Sequence, residues 1–130
     1  MPVYAECGGL MYLGKCIRDF QGHEHQMVSS IPVSSRIDNH RLSLGYRTLE
    51  AMKDGPLMQK GQIVRGHEFH WSVLNSGPHK PNAYRVAENG GFVEGFQRKL
   101  TLASYVHLHM ASLPEMALRF VENCRNFQKG

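Results

Sequence analysis

The tightest constraint on how this chain can fold lies in its first thirteen residues. Pro2 to Glu6 is short, extended and partly apolar, and it runs straight into Cys7-Gly8-Gly9. Leu10, Met11, Leu13, Ile17 and Phe20 follow at helical spacing and predict a helix of about three turns. Strand, Glu6-Cys7-Gly8-Gly9, helix is the layout of a nucleophile elbow. A tight turn lifts the side chain off the sheet, and small neighbours let the backbone make that turn. The helix start supplies free N–H groups and a positive dipole end, so the expected effect is a stabilised thiolate and a lowered thiol pKa. The same amides, those of Gly8 and Gly9, can hold an oxyanion. A buried cysteine beside a glycine turn has the same spacing, and a C-G-G triplet alone does not separate the two.

A second segment is Ala103-Ser104-Tyr105-Val106-His107-Leu108-His109-Met110, part of a strand expected over 102–110. Alternate residues of a strand share a face, which puts Tyr105, His107 and His109 on one side and Val106, Leu108 and Met110 on the other. Nucleophilic thiol chemistry needs an imidazole that takes the thiol proton and returns it to the leaving amine. Periodicity leaves open which histidine that is. In a third segment, His67-Glu68-Phe69-His70-Trp71-Ser72, strand alternation sets Glu68, His70 and Ser72 opposite His67, Phe69 and Trp71. Eight histidines invite a metal site, with Glu68 and His70 joined by His107 or His109. No sequence-local H-x-x-x-H pair supports it, so a polar wall of a substrate pocket is the expectation and no metal ligand is assigned. A solvated strand face is the plain alternative.

Elsewhere, short strand-like runs occupy 27–49, a loop 52–61 and a second loop 75–82. Tyr84–Val86 and Gly91–Phe96 read as strands joined at Glu88-Asn89-Gly90. Ser112-Leu113-Pro114-Glu115 fits a capping box for a closing helix, with Ala117, Phe120, Val121 and Cys124 as its buried stripe.

The 130 residues suit one domain, and 42% hydrophobic with 20% charged residues argue against disorder. No apolar run approaches the ~20 residues of a membrane span and no signal peptide is evident, so a cytoplasmic protein without membrane contact is expected. Net charge is +4, but the basic residues are scattered from Lys15 to Lys129, which disfavours nucleic acid as a partner. Cys7, Cys16 and Cys124 lack Cys-x-x-Cys spacing, so neither a disulfide framework nor a zinc ribbon is expected.

Taken together and in this order, the motifs resemble one family. Tyr4-Ala5-Glu6-Cys7-Gly8-Gly9-Leu10-Met11-Tyr12-Leu13 looks like the nucleophile segment of the C-terminal class I glutamine amidotransferase domain of the cobyrinate a,c-diamide synthases. Arg65–Ser72 and Ala103–His109 are similar to that family's next two signature stretches, and Leu44-Gly45-Tyr46-Arg47 fits as well. The resemblance implies an α/β, flavodoxin-like mixed sheet with flanking helices, and a glutaminase that releases ammonia from glutamine for corrinoid (cobalamin) biosynthesis. Cys7 matches its nucleophile and His107 its catalytic histidine, with His109 as understudy. Glu68 and His70 match positions lining the site. No His-Pro-Glu supplies a third acid, and Tyr105 is the residue expected to seat the histidine. The partner implied is a synthetase domain with a P-loop, using ATP and Mg to amidate the corrin a and c carboxylates; no P-loop occurs in this chain, which itself calls for no cofactor. Related domains place further strands and an oxyanion-donating loop before the nucleophile. Residues 1–130 are therefore expected to be a partial domain starting at the nucleophile strand, with a homodimer or a non-catalytic docking module as alternative uses of its open edge.

Overall fold

A computed structural model describes residues 1–130. In chain order the first half holds β1 (Val3–Glu6), α1 (Gly8–Leu13), β2 (Cys16–Arg18), β3 (Glu24–Gln26), β4 (Ser34–Ile37) and β5 (Ser43–Ala51). The second half holds β6 (Ile63–His70), β7 (Ser72–Asn75), β8 (Tyr84–Val86), β9 (Phe92–Glu94), β10 (Phe96–Arg98), β11 (Thr101–Ser104) and β12 (His107–Leu108). A 3-10 turn at Met110–Ser112 then leads into α2 (Glu115–Lys129).

The strands form three sheets, ordered β1-β11-β10, β12-β6-β5-β8-β9 and β3-β2-β4-β7. The architecture is mixed α/β with few helices. β1 runs parallel to β11, Glu6 opposite Ser104, while β6 pairs antiparallel with both β5 and β12. No helix is long and apolar enough to cross a membrane. One apolar cluster gathers Leu49, Val64, Tyr84, Leu102, Val106 and Met116; the other packs α1 residues Leu10 and Met11 against Val33, Phe96 and Tyr105. The chain between β11 and β12 passes between the two clusters, so both hold the segment that presents His107. Leu57 and Met58 of the 52–61 loop are buried in the first cluster, so that loop is a plug for the core.

Three sequence expectations need correction. The helix after Cys7 ends at Leu13, where Gly14 turns to an extended backbone and lies so close to the Val33 carbonyl that a Cβ would collide with it. Ile17 therefore sits on a strand opposite Ser35, and Phe20 is exposed. The strand expected over 102–110 breaks after Ser104, and its second part changes sheets. Finally, α2 has no capping box. Ser112 Oγ instead donates to the His109 carbonyl and accepts the Arg65 N–H, and α2 follows Pro114 with no side-chain cap. The helix packs through Met116, Arg119, Phe120 and Asn123, with Arg119 and Asn123 donating to the carbonyls of Gly55 and Pro56. Ala117 and Val121, about a quarter turn round, stay exposed and Cys124 is only partly buried.

Candidate active site

Cys7 occupies the single residue between β1 and α1. Its backbone has φ 49° and ψ −106°, a left-handed conformation that L-residues with a side chain rarely adopt. Two bonds hold it there: the Cys7 N–H donates to the Ser104 carbonyl at 2.8 Å, and its carbonyl accepts the Met11 N–H at 3.2 Å. The elbow expected from the sequence is formed. Its thiol is half-buried and points at the Phe69 carbonyl on β6, Sγ to O 3.7 Å. Only a protonated thiol can donate in that contact. Burial pushes the Cys7 thiol up, with the Glu6 and Glu68 charges adding to it and the Gly8 backbone amide opposing. This corrects the expectation of a lowered thiol pKa, because a one-and-a-half-turn helix offers too little field to outweigh desolvation. Gly8 at the start of α1 is exposed, and Gly9 packs against Ala5.

His107 arrives from the opposite direction. β12 pairs with β6 so that His107 faces His67, the two rings stacking 4.9 Å apart. The pairing depends on Gly66: a Cβ there would overlap the His107 carbonyl and Cγ1 of Val106. The Glu6 carboxylate links the cysteine strand to the histidine strand. Its Oε1 accepts the Leu108 N–H at 2.8 Å and the Tyr4 hydroxyl, and its Oε2 lies 3.4 Å from His107 Nδ1. Desolvation and the neighbouring Glu6 push the Tyr4 hydroxyl far up, so Tyr4 stays a donor. Sequence reasoning gave Glu6 no role. The available signal was its place next to the cysteine, but its partner is 101 residues away and no local pattern joins them.

Glu68, His70 and Ser72 share a buried face as the alternation implies, while His67, Phe69 and Trp71 are exposed. The face is not solvated; it is a closed network. Arg47 Nε donates to Glu68 Oε2 at 2.8 Å, and His70 Nε2 meets Glu68 Oε1 at 2.6 Å. His70 Nδ1 reaches the Ser72 carbonyl at 2.8 Å, and Ser72 Oγ shares a 2.7 Å bond with the Tyr105 hydroxyl. Burial raises Glu68, but the hydrogen bonds from His70 and Arg47 outweigh it and hold the carboxyl below its ordinary value. Tyr105, expected to seat His107, instead stacks on His70 with centroids 3.6 Å apart, and burial pushes its hydroxyl up to about 12. Its β-face partnership with His107 fails because the strand breaks between them. Arg47, at the end of the Leu44–Arg47 match, is the network member that sequence reasoning left without a task.

His109 is exposed beyond the end of β12, where its backbone bonds Arg65 and Ser112. The structure does not bring it to Cys7 or Glu68. Nor does any group of three or more His, Cys, Asp or Glu residues converge as a metal site would require. Two clefts, of ≈ 540 Å³ beside Arg98 and Phe127 and ≈ 420 Å³ beside Arg18 and Arg36, include none of the residues above. Cys7, Glu6 and His107 are each only partly buried, and Glu6, next to the thiol in the chain, is the residue that faces the imidazole.

Comparison with known proteins matches residues 1–114 to the CobB/CobQ-like glutamine amidotransferase domain. The cobyrinate a,c-diamide synthase of Syntrophotalea carbinolica is 42% identical over 130 residues, covering 95% of this chain and 28% of that protein. A protein of the same name from Dehalococcoides mccartyi is 40% identical, covering 98% of this chain and 28% of its own length. The hydrogenobyrinate a,c-diamide synthase of Streptomyces coelicolor is 40% identical, covering 95% and 24%. The chain spans about a quarter of the length of these relatives.

Proposed function

The chain belongs to the CobB/CobQ-like glutamine amidotransferase family, whose fold is of the class I type, and on that footing we propose that it is the glutaminase part of a cobyrinate a,c-diamide synthase. Cys7 Sγ attacks the side-chain amide carbon of glutamine while His107 takes the thiol proton. The tetrahedral intermediate collapses as the C–N bond breaks, and His107 returns the proton to the departing nitrogen as ammonia. Water then attacks the γ-glutamyl thioester, with His107 again the base, and yields glutamate and the free thiol. Amides at the start of α1, those of Gly8 and Gly9, are the oxyanion donors on this side of the site. The Arg47–Glu68–His70 network, with Tyr105 and Ser72 beneath it, forms the rigid polar wall against which the glutamine is held.

The observation that carries the reading is the elbow at Cys7. A cysteine stands at φ 49° in a turn that runs on into Gly8 and Gly9, where glycine would relieve the backbone. A neutral resting thiol also suits a mechanism in which the imidazole takes the proton during attack. The released ammonia would go to an ATP- and Mg-dependent synthetase partner that amidates the corrin a and c carboxylates. Purified chain, alone and mixed with such a synthetase, is expected to convert glutamine to glutamate and to lose that conversion in Cys7→Ala. Hydrolysis that survives Cys7→Ala, or alkylation by a glutamine-like chloroketone that shows no preference for Cys7, would overturn the reading.

A further inference from the structure

Glu6 stands immediately before the nucleophile and touches the strand that carries the histidine. Its two carboxylate oxygens do different things. Oε1 is taken up by the Leu108 N–H and the Tyr4 hydroxyl, which anchors the end of β12 to β1. Oε2 has no donor assigned to it and faces His107 Nδ1 at 3.4 Å. The two side chains are about a third exposed or less, so water only partly screens the pair.

An imidazole that accepts a proton at Nε2 must carry its first proton on Nδ1. A carboxylate at Nδ1 selects that tautomer, and it stabilises the cation formed when the thiol proton arrives. A separation of 3.4 Å is long for a hydrogen bond, but such contacts commonly tighten once the imidazole becomes charged. Tyr105 does not compete for this role, since its hydroxyl is bonded to Ser72. Glu68 does not either, because both of its oxygens are engaged by Arg47 and His70.

We propose that Glu6 is the positioning residue of the site, holding His107 with its proton on Nδ1 and stabilising the imidazolium while Cys7 reacts. The assignment rests on the glutaminase reading. It places the acid on the strand of the nucleophile itself, so that one residue sets both the end of β12 and the orientation of its histidine.

Glu6→Gln separates the two tasks. Its amide oxygen can keep the Leu108 and Tyr4 contacts, while its NH2 faces Nδ1 and forces that nitrogen to accept. The proton then sits on Nε2, the wrong nitrogen for a base. Removing the Glu6 charge would by itself make the thiol easier to ionise, so a slower Glu6→Gln enzyme reports on His107 and not on Cys7. Glutamine hydrolysis and the ring-nitrogen spectrum of His107 (two-bond proton–nitrogen correlation near pH 8) are measured for wild type, Glu6→Gln and Cys7→Ala. Expected are a kcat lower by ~10²–10⁴ in Glu6→Gln with KM within about threefold, and a shift of His107 from the Nδ1–H to the Nε2–H tautomer. Unchanged kcat and tautomer in Glu6→Gln, with Cys7→Ala inactive, overturn the role of Glu6 and leave the glutaminase standing. Hydrolysis independent of Cys7 overturns the glutaminase, and the tautomer still decides whether Glu6 holds the ring. Should Glu6→Gln not fold, an Nε2–H tautomer in the wild-type protein is enough to refute the proposal.

Discussion

At the scale of single residues, the role proposed for Cys7 and its backbone energy oppose each other. A residue with a Cβ at φ 49°, ψ −106° carries a conformational cost on the order of 1–3 kcal/mol, which glycine does not. Cys7→Gly is therefore expected to be more stable than Cys7→Ala by about 1 kcal/mol in urea denaturation, although glycine normally weakens a folded chain. Equal or lower stability of Cys7→Gly would mean that the turn is not strained. The elbow was legible in the sequence because it is local: extended residues, then Cys-Gly-Gly, then apolar residues at helical spacing. The state of the thiol was not legible, because desolvation depends on what packs over it. Phe69 and Glu68, which contribute to that environment, arrive from β6, some sixty residues away.

At the scale of elements, the site is built where two strands of different sheets come together. β11 belongs with β1, but after Tyr105 and Val106 the chain crosses to pair with β6 as β12. Gly66 makes that crossing possible, since no side chain separates β6 from the His107 backbone. Gly66→Ala is expected to push β12 outward, costing ~1–3 kcal/mol of stability and lowering glutamine turnover more than tenfold. Thermal melts combined with kinetics of the folded fraction check both effects. Turnover at the wild-type level would show that the position of β12 does not matter to the reaction. Simple alternation worked for β6, where Val64, Gly66, Glu68 and His70 are buried and the residues between them exposed. It failed over 102–110, because alternation assumes an unbroken strand and says nothing of a change of sheet. Of the stripe expected on α2, Phe120 packs on the core while Ala117 and Val121 do not, for a related reason. Several faces of that helix carry apolar residues, and the loop plug at Gly55–Met58 chose the one with Met116 and Phe120.

At the scale of the whole molecule, the buried carboxylates make stability depend on pH. Glu94 lies between the two apolar clusters, accepting from Ser104 Oγ at 2.6 Å and from the Tyr105 N–H at 2.8 Å. Burial nevertheless pushes it up to about 7, against the pull of those two bonds. A carboxyl raised on folding binds its proton more tightly in the folded state, so its contribution is full below the unfolded pKa of ~4.3 and is lost as pH rises towards 7. The loss is on the order of 3–4 kcal/mol. Glu68 is shifted the other way, and its contribution is lost in acid. Glu94→Gln mimics the protonated acid and is expected to remove the decline between about pH 4.5 and pH 7 while leaving the acid limb in place. Denaturation series at several pH values for both proteins test this, and parallel curves would refute it. The amino-acid sequence by itself determined the strand–elbow–helix start, the alternation of β6 and the identity of the family, because each is written in neighbouring residues or in ordered motifs. Only the tertiary structure decided that Glu6 faces His107, that Tyr105 serves His70, that His109 stands apart and that the Cys7 thiol is raised. Those outcomes depend on contacts between segments roughly thirty-five to a hundred residues apart, whose distances and desolvation come into being only when the sheets close on one another.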